Sequence, residues 1–252
     1  MAELTNKLRK LVASLDDARA RRDERLFVAE GTKCVLDTLR HFSIRYLFAT
    51  HAWSDSHKAE IRGIEVTPVT RADMERMSHL STPPEVIAVY ETPDNDVASL
   101  DASGKLLIAL DRVQDPGNLG TIIRIADWFG IREIVCSRDT VDVYNPKVIQ
   151  ATMGAVSRVK VYYTDLASWL AGCGMPVYGT FLNGENIYSS SLGESGVIVM
   201  GNEGKGISDE VAGTVTCRLT IPSFPPGAVT SESLNVGMAT AVTVAEFRRR
   251  QL

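Results

Sequence analysis

No stretch of this chain stays apolar for long. No uninterrupted apolar run approaches the roughly 20 residues a helix needs to cross a bilayer. The opening segment from Met1 to Arg22 mixes charged side chains with Leu and Val and has no signal-peptide core. The expectation is a cytoplasmic protein without a membrane span. Cysteine is sparse too: Cys34, Cys136, Cys173 and Cys217 stand far apart with no Cys-x-x-Cys pair. That spacing favours buried, reduced thiols over a disulfide frame or a metal site. All four histidines (His41, His51, His57, His79) fall in the first third of the chain, so the rest has no histidine base or ligand. Internal repeats and low-complexity tracts are absent. Basic charge in excess is absent as well: the formal net charge is −4, which argues against a general nucleic-acid binder.

What is present is an ordinary apolar content in 252 residues, enough for two domains. The stretch TPDNDVASLDASG (Thr92–Gly104) is polar, carries Pro and Gly, and lacks an apolar period. It divides the chain into a first domain over 1–92, a linker over 93–104 and a second domain over 105–252. The first domain reads as a small α/β unit, with strands at Leu26–Gly31, Arg45–Ala49, Ile64–Pro68 and Val86–Tyr90. Helices fall at Lys33–Arg40, near Ser54–Arg62 and from Thr70, which makes a good N-cap. Arg19, Arg21, Arg22 and Arg25 cluster ahead of the first strand, beside Asp16, Asp17, Asp23 and Glu24. They are either a solvated helix face or a contact for a polyanion.

The second domain alternates more cleanly. LLIAL (Leu106–Leu110) is apolar throughout, as a strand buried on both faces requires. Asn118 is read as the cap of a helix running to Phe129 and stopped by Gly130. Asn145-Pro146 opens another helix that Gly154 ends. Further strands are predicted at Glu133–Cys136, Val159–Tyr162, Val177–Phe181, Val197–Met200 and Arg218–Ile221. A last long helix carries Leu234, Met238, Ala241, Val242 and Ala245. Strands separated by helices imply a parallel sheet, whose ligands bind beyond the carboxyl ends of its strands. The loops after Leu110, Met200 and Ile221 are therefore the candidate site.

Each of these loops is unusual. In LDRVQDPGNLGTIIRIADWFG (Leu110–Gly130), Arg124 sits among Ile122, Ile123 and Ile125, so it either pairs with an acid or faces a site. VIVMGNEGKGIS (Val197–Ser208) brings three glycines close together after a strand. It matches neither the phosphate-loop nor the dinucleotide-loop pattern, and packing does not account for its Glu203. IPSFPPGAVTSESLNVGMA (Ile221–Ala239) leads through a Pro- and Gly-rich loop to Ser233, Leu234 and Asn235, with Ser231 and Glu232 open to a capping role.

Together the three segments resemble the signature motifs of the SpoU/TrmH family of RNA ribose methyltransferases, in the SPOUT class. Asn118, Gly120 and Arg124 carry the first motif. Gly201, Asn202, Glu203, Gly206, Ile207 and Ser208 carry the second. Ile221, Pro222, Ser233, Leu234, Asn235 and Val236 carry the third, with a longer loop than the family usually keeps. RRDERLFVAEG (Arg21–Gly31) and LSTPPEVIAV (Leu80–Val89) resemble the family's N-terminal substrate-binding, ribosomal-protein-like module. The resemblance implies a parallel-sheet α/β SPOUT domain with a deep trefoil knot, a rare exception to unknotted topology. It implies S-adenosyl-L-methionine as methyl donor, contacted by Thr180, Gly201, Ile221 and Leu234. It implies a homodimer in which the partner's first-motif arginine completes each site.

The substrate implied is the 2′-hydroxyl of an RNA ribose, ribosomal RNA being favoured over transfer RNA, with Arg19, Arg21, Arg22 and Arg25 as RNA contacts. No metal is needed, because the donor's methyl is already activated and only a proton has to leave. Arg124 is a positioning group rather than a base, since a guanidinium stays protonated in proteins. Asn118 and Asn235 are expected to hold the active loops, Glu203 to orient Arg124 or Asn118, and Ser233 to bond the arginine or the ribose. Two competing readings remain: a catalytically silent RNA-binding homologue, and a dinucleotide oxidoreductase without its glycine fingerprint.

Overall fold

The structure is a computed structural model that describes residues 4–225 and 231–252. Along the chain come α1 (Asn6–Ser14), α2 (Ala18–Glu24), β1 (Leu26–Glu30), α3 (Thr32–Thr38), β2 (Ile44–Ala49), α4 (His51–Ser56), β3 (Val66–Pro68), α5 (Arg71–Met77) and β4 (Val86–Glu91). After them come β5 (Leu106–Leu110), α6 (Pro116–Trp128), β6 (Glu133–Ser137), α7 (Pro146–Thr152), β7 (Lys160–Thr164), α8 (Leu166–Gly172) and β8 (Val177–Asn186). The chain finishes with β9 (Gly196–Met200), α9 (Asp209–Ala212), β10 (Cys217–Thr220) and α10 (Val236–Arg249). By packing, the chain divides into two compact units: 1–94 with 142–157, and 95–141 with 158–252.

The first unit is a four-stranded sheet in the order β1-β4-β2-β3, antiparallel except for the β2–β3 pair. Its core gathers Val12 and Leu15 beside α1, Val28, Phe48, Ile87 and Val89 from the strands, and Met74 and Met77 from α5. The expected cap at Thr70 is present as a full capping box with Asp73. The helix expected near Ser54–Arg62 lies earlier, at His51–Ser56, because the Thr50 hydroxyl caps it through the Trp53 amide. The segment 142–157 joins this unit. Its α7 begins at the predicted Asn145 cap and Pro146, and the Tyr144 ring lies 4.6 Å from that of Phe27.

Arg21 corrects an expectation. It is 3% exposed, donates to the Leu15 and Asp16 carbonyls, and pairs with Asp142 at 2.8 Å. Its guanidinium is a structural clasp and has no face left for RNA. Arg19, Arg22 and Arg25 are exposed, with Arg19 3.5 Å from Asp23 and Arg25 3.7 Å from Asp94.

The second unit is a six-stranded, wholly parallel sheet in the order β10-β8-β9-β5-β6-β7. β5 is buried along its whole length, as its unbroken apolar run requires. The chain moves outward from β5 through β6 to β7, then returns on the other side as β8, β9 and β10. The order therefore reverses between β5 and β9, and in such sheets ligands bind there, beyond the carboxyl ends of the strands. β8 differs from the predicted strand. Its ladder with β10 jumps from Gly179–Arg218 to Glu185–Leu219, so residues 180–184 bulge out of register. Two short helices, α8 and α9, were not foreseen; Asp165 caps α8, and four residues of α9 are too few to show a period.

The four cysteines are free; Cys34 and Cys136 are buried as expected, whereas Cys173 and Cys217 are only half-buried, and burial raises the thiol pKa of Cys34 to about 12. No helix of the described residues is long and apolar enough to cross a membrane.

Candidate active site

The site is assembled from the loops on either side of the strand-order reversal. Leu110 of β5 pairs with Met200 of β9, and the Asp111 amide donates to the Met200 carbonyl at 2.9 Å. The β5–α6 loop and the glycine loop thus leave the sheet side by side. They are then stitched together twice. The Asn202 side chain donates to the Arg112 carbonyl at 2.8 Å, and the buried Asp111 carboxylate accepts the Ser208 amide at 2.6 Å. Arg112 adopts a left-handed backbone (φ 57°) to present that carbonyl, with its amide tied to the Ser137 hydroxyl at 2.9 Å.

Within the glycine loop, Asn202 and Gly206 exchange backbone hydrogen bonds of 3.0 and 2.8 Å, while the Asn202 side chain accepts from the Gly204 and Lys205 amides. Gly201 is pressed against the returning strand of this hairpin. A Cβ built there would lie 2.6 Å from the Gly206 carbonyl oxygen, so only glycine lets the loop close.

The catalytic candidates come together in part. The Asn118 side-chain amide donates to Glu203 Oε1 at 2.7 Å, and Asn235 Nδ2 donates to Asn118 Oδ1 at 2.9 Å. Glu203, Asn118 and Asn235 thus form one chain of hydrogen bonds joining the glycine loop, α6 and α10. Glu203 orients Asn118, the second of its two expected partners. Asn235 also caps α10 through the Gly237 and Met238 amides, so one side chain fixes both the helix start and its tie to α6. Asn118 is not the cap of α6. Asp115 takes that role, accepting from the Asn118 amide at 2.8 Å, which frees the Asn118 side chain for Glu203.

Arg124 stands apart. It is exposed and has no ion pair among the described residues, so the structural ion pair is absent. Six residues along α6 place it about 120° around the helix from Asn118, off the face that carries the Asn118–Glu203–Asn235 chain. Trp128, one turn further along α6, is 86% exposed, and Met238 of α10 is 59% exposed.

Thr180 sits inside β8, at the point where the ladder breaks, and its hydroxyl donates to the Val199 carbonyl at 3.1 Å. Ile221 is half-buried, and Ser233 and Leu234 are exposed. The loop between them runs through 226–230, outside the described residues. The residues the sequence reading missed are Asp111 and Asp115, together with Asn202, noted there only as part of a motif. An acid directly after a wholly buried strand, and another before Pro-Gly, were the available signals. Among the described residues, no group of three or more His, Cys, Asp or Glu side chains could hold a metal ion.

A parallel sheet with glycine- and asparagine-stitched loops at its reversal point defines an α/β protein with its candidate site at the carboxyl ends of the strands, and comparison with known proteins gives it a family. Residues 105–245 match the SpoU rRNA Methylase family, and residues 6–88 match the MRM3-like substrate binding domain. The chain belongs to the SpoU rRNA methylase family. It is 31% identical to a Bacillus subtilis 23S rRNA (guanosine-2′-O)-methyltransferase, RlmP, over 74% of this chain and 73% of that protein. A solved structure from Porphyromonas gingivalis, assigned to the TrmH family of RNA methyltransferases, is 39% identical with a TM-score of 0.86, covering 99% of this chain and 100% of its own. An AdoMet-bound rRNA methyltransferase from Sinorhizobium meliloti is 30% identical with a TM-score of 0.87, covering 100% of this chain and 98% of its own. Several curated mycobacterial relatives are longer, and the chain spans 63% of their length.

Proposed function

We propose that this protein transfers a methyl group from S-adenosyl-L-methionine to a ribose 2′-hydroxyl of ribosomal RNA, acting as a homodimer in the cytoplasm. The observation that carries this reading is the hydrogen-bonded chain Glu203–Asn118–Asn235 at the reversal of a parallel sheet. The residues present fit the donor. Ile221, just after β10, and Leu234, half exposed two residues ahead of α10, offer apolar side chains, with strand-end backbone beside them. When bound, the donor supplies a methyl group already activated by its sulfonium. The chain's own residues then have a positioning task. The glycine loop and the α10 start hold the donor. Arg124 binds the phosphate beside the target and fixes the hydroxyl in line, and that phosphate or solvent accepts the proton. Ser233 bonds the ribose or the arginine.

The exposed position of Arg124 on α6 supports the homodimer reading. Arg124 is exposed about 120° around α6 from Asn118, and Trp128, one turn further on the same side of α6, is an indole left in water. A second copy packed over α6 and α10 would bury Trp128 and Met238 and deliver its Arg124 to the neighbouring site. We further propose that the chain end threads through the loops of the second unit as a trefoil knot. The first unit, with Arg19, Arg22 and Arg25 exposed, would bind RNA. Ribosomal RNA is favoured over transfer RNA because the likeness to rRNA methyltransferases runs across both units.

Calorimetry provides the test. S-adenosylhomocysteine is expected to bind the wild-type protein and to fail with Gly201→Val, whose side chain cannot coexist with the closed loop. Binding of NADH with no response to S-adenosylhomocysteine would overturn the reading in favour of a dinucleotide enzyme.

A further inference from the structure

The proposed reaction leaves unexplained one aromatic side chain near the carboxyl ends of the strands. Phe224 lies four residues beyond the end of β10, between Ile221 and Ser233, and is 90% exposed. Four residues of chain reach at most about 14 Å, so Phe224 remains near the carboxyl edge of the sheet. Pro222 and Pro225 flank it closely, and a proline fixes its own φ. The aromatic ring is therefore presented from a stiffened stretch of backbone, which lowers the entropy lost when something packs on it.

Of the other large apolar side chains near the end of β10, one is covered and one is not. The Phe181 ring is covered by the Arg218 guanidinium at 3.6 Å. The 180–184 bulge is held against the strand end by the Thr220 hydroxyl, which donates to the Leu182 carbonyl at 3.2 Å. That bond fixes a second exposed apolar side chain, Leu182 (79% exposed), beside Thr220 and Ile221. Two water-facing apolar groups from separate loops thus flank the strand end from which the donor loop departs.

We infer that Phe224 is a stacking platform for an unpaired base of the RNA substrate, next to the ribose that is methylated. This inference rests on the proposed RNA ribose methylation. Single-stranded RNA is read by bases splayed onto aromatic faces, and such stacking tolerates any base because each has a π-face. Where the target ribose lies in a single-stranded loop, its neighbouring bases are unstacked, and a splayed base needs a surface of this kind.

The test is steady-state methyl transfer to ribosomal RNA prepared from a strain lacking the protein. Phe224→Ala is expected to raise the KM for RNA about tenfold, equivalent to about 1.4 kcal/mol, with the KM for the donor unchanged. Phe224→Trp is expected to restore the RNA KM, whereas Phe224→Leu, apolar without a π-face, stays as poor as alanine. An unchanged RNA KM in Phe224→Ala overturns the inference, as does full rescue by leucine. A selective loss of S-adenosylhomocysteine binding would assign the ring to the donor's adenine, and dissociation of the dimer would assign it to the subunit contact; either result overturns the inference. If the wild-type protein transfers no methyl to any RNA, the failure belongs to the proposed function, and the variants are then read by binding of the same RNA.

Discussion

An exposed guanidinium that forms no ion pair is held in place only by its helix, and among the described residues Arg124 is in that position. Its proposed role depends on a planar fork that can hold a phosphate and orient a hydroxyl together, which an ammonium cannot copy. Arg124→Ala is expected to lower kcat by about 10²–10³-fold, the range for removing one pre-organised donor. Arg124→Lys should recover little of that loss, and near-normal turnover of the lysine variant would refute the positioning role. Ser208 offers a second test, of the stitch to Asp111. Its φ of −66° suits proline, which deletes the amide that Asp111 accepts. Ser208→Pro is expected to cost about 1–3 kcal/mol in unfolding free energy, since the buried carboxylate loses its acceptor bond. It should also weaken S-adenosylhomocysteine binding. Ser208→Ala keeps the amide, and the Ser208 hydroxyl makes no capping bond, so both quantities should stay put.

Glu203 was legible at this scale because no packing role explains an acid among glycines. Asp111 was not, because nothing in the sequence says that an acid following LLIAL will meet an amide 97 residues later. Arg21 was misread for a related reason: a run of arginines does not say which one the fold will bury.

Among the elements, α10 matters most, because its first turn carries Asn235 and its last turn is anchored elsewhere. Glu246 is buried and accepts from both Arg249 and Arg250, while Arg250 also donates to the Ile187 and Ser190 carbonyls. The Arg249 hydrogen bond, with Arg250 adding to it, outweighs burial and lowers the Glu246 pKa from 4.5 to about 2. A depressed carboxylate contributes stability that is complete above its unfolded pKa and is lost as pH falls through the folded one. Thermal unfolding temperatures are therefore expected to drop between about pH 4.5 and 2 more steeply in the wild type than in Glu246→Gln. Equal slopes would show that the ion cluster contributes nothing.

Strand β5 was legible residue for residue, because burial on both faces leaves a continuous apolar run. The full length of β8 was not: residues 180–184 leave the ladder and interrupt the pattern before Glu185 and Asn186 rejoin it. The three motif loops could be found from their glycines and asparagines. The bonds that tie them, running between segments far apart in the chain, could not.

For the whole molecule, the strongest unmet demand is the exposed face of α6 and α10. Burying a tryptophan at a subunit contact removes about 150–250 Å² from water, and a carboxylate in its place would be desolvated there without a partner. Trp128→Glu is expected to sediment as a monomer and to lose methyl transfer while keeping the far-ultraviolet circular dichroism of the wild type. A dimeric, active Trp128→Glu would remove α6 from the interface and with it the shared-arginine arrangement. The sequence marks a polar, proline-bearing stretch at 92–104, and the longer segment of the first unit ends at 94. That residues 142–157 pack with the first unit was not legible, since their sequence reads only as a capped helix.

The most direct measurement is the chemical position of the transferred methyl. Ribosomal RNA from a strain lacking the protein is incubated with isotopically labelled S-adenosylmethionine, digested to nucleosides and resolved by mass spectrometry. The label is expected on the ribose of a single nucleoside, in a linkage resistant to alkali because its 2′-oxygen is blocked. Label on a base, or none in any RNA, would contradict the account.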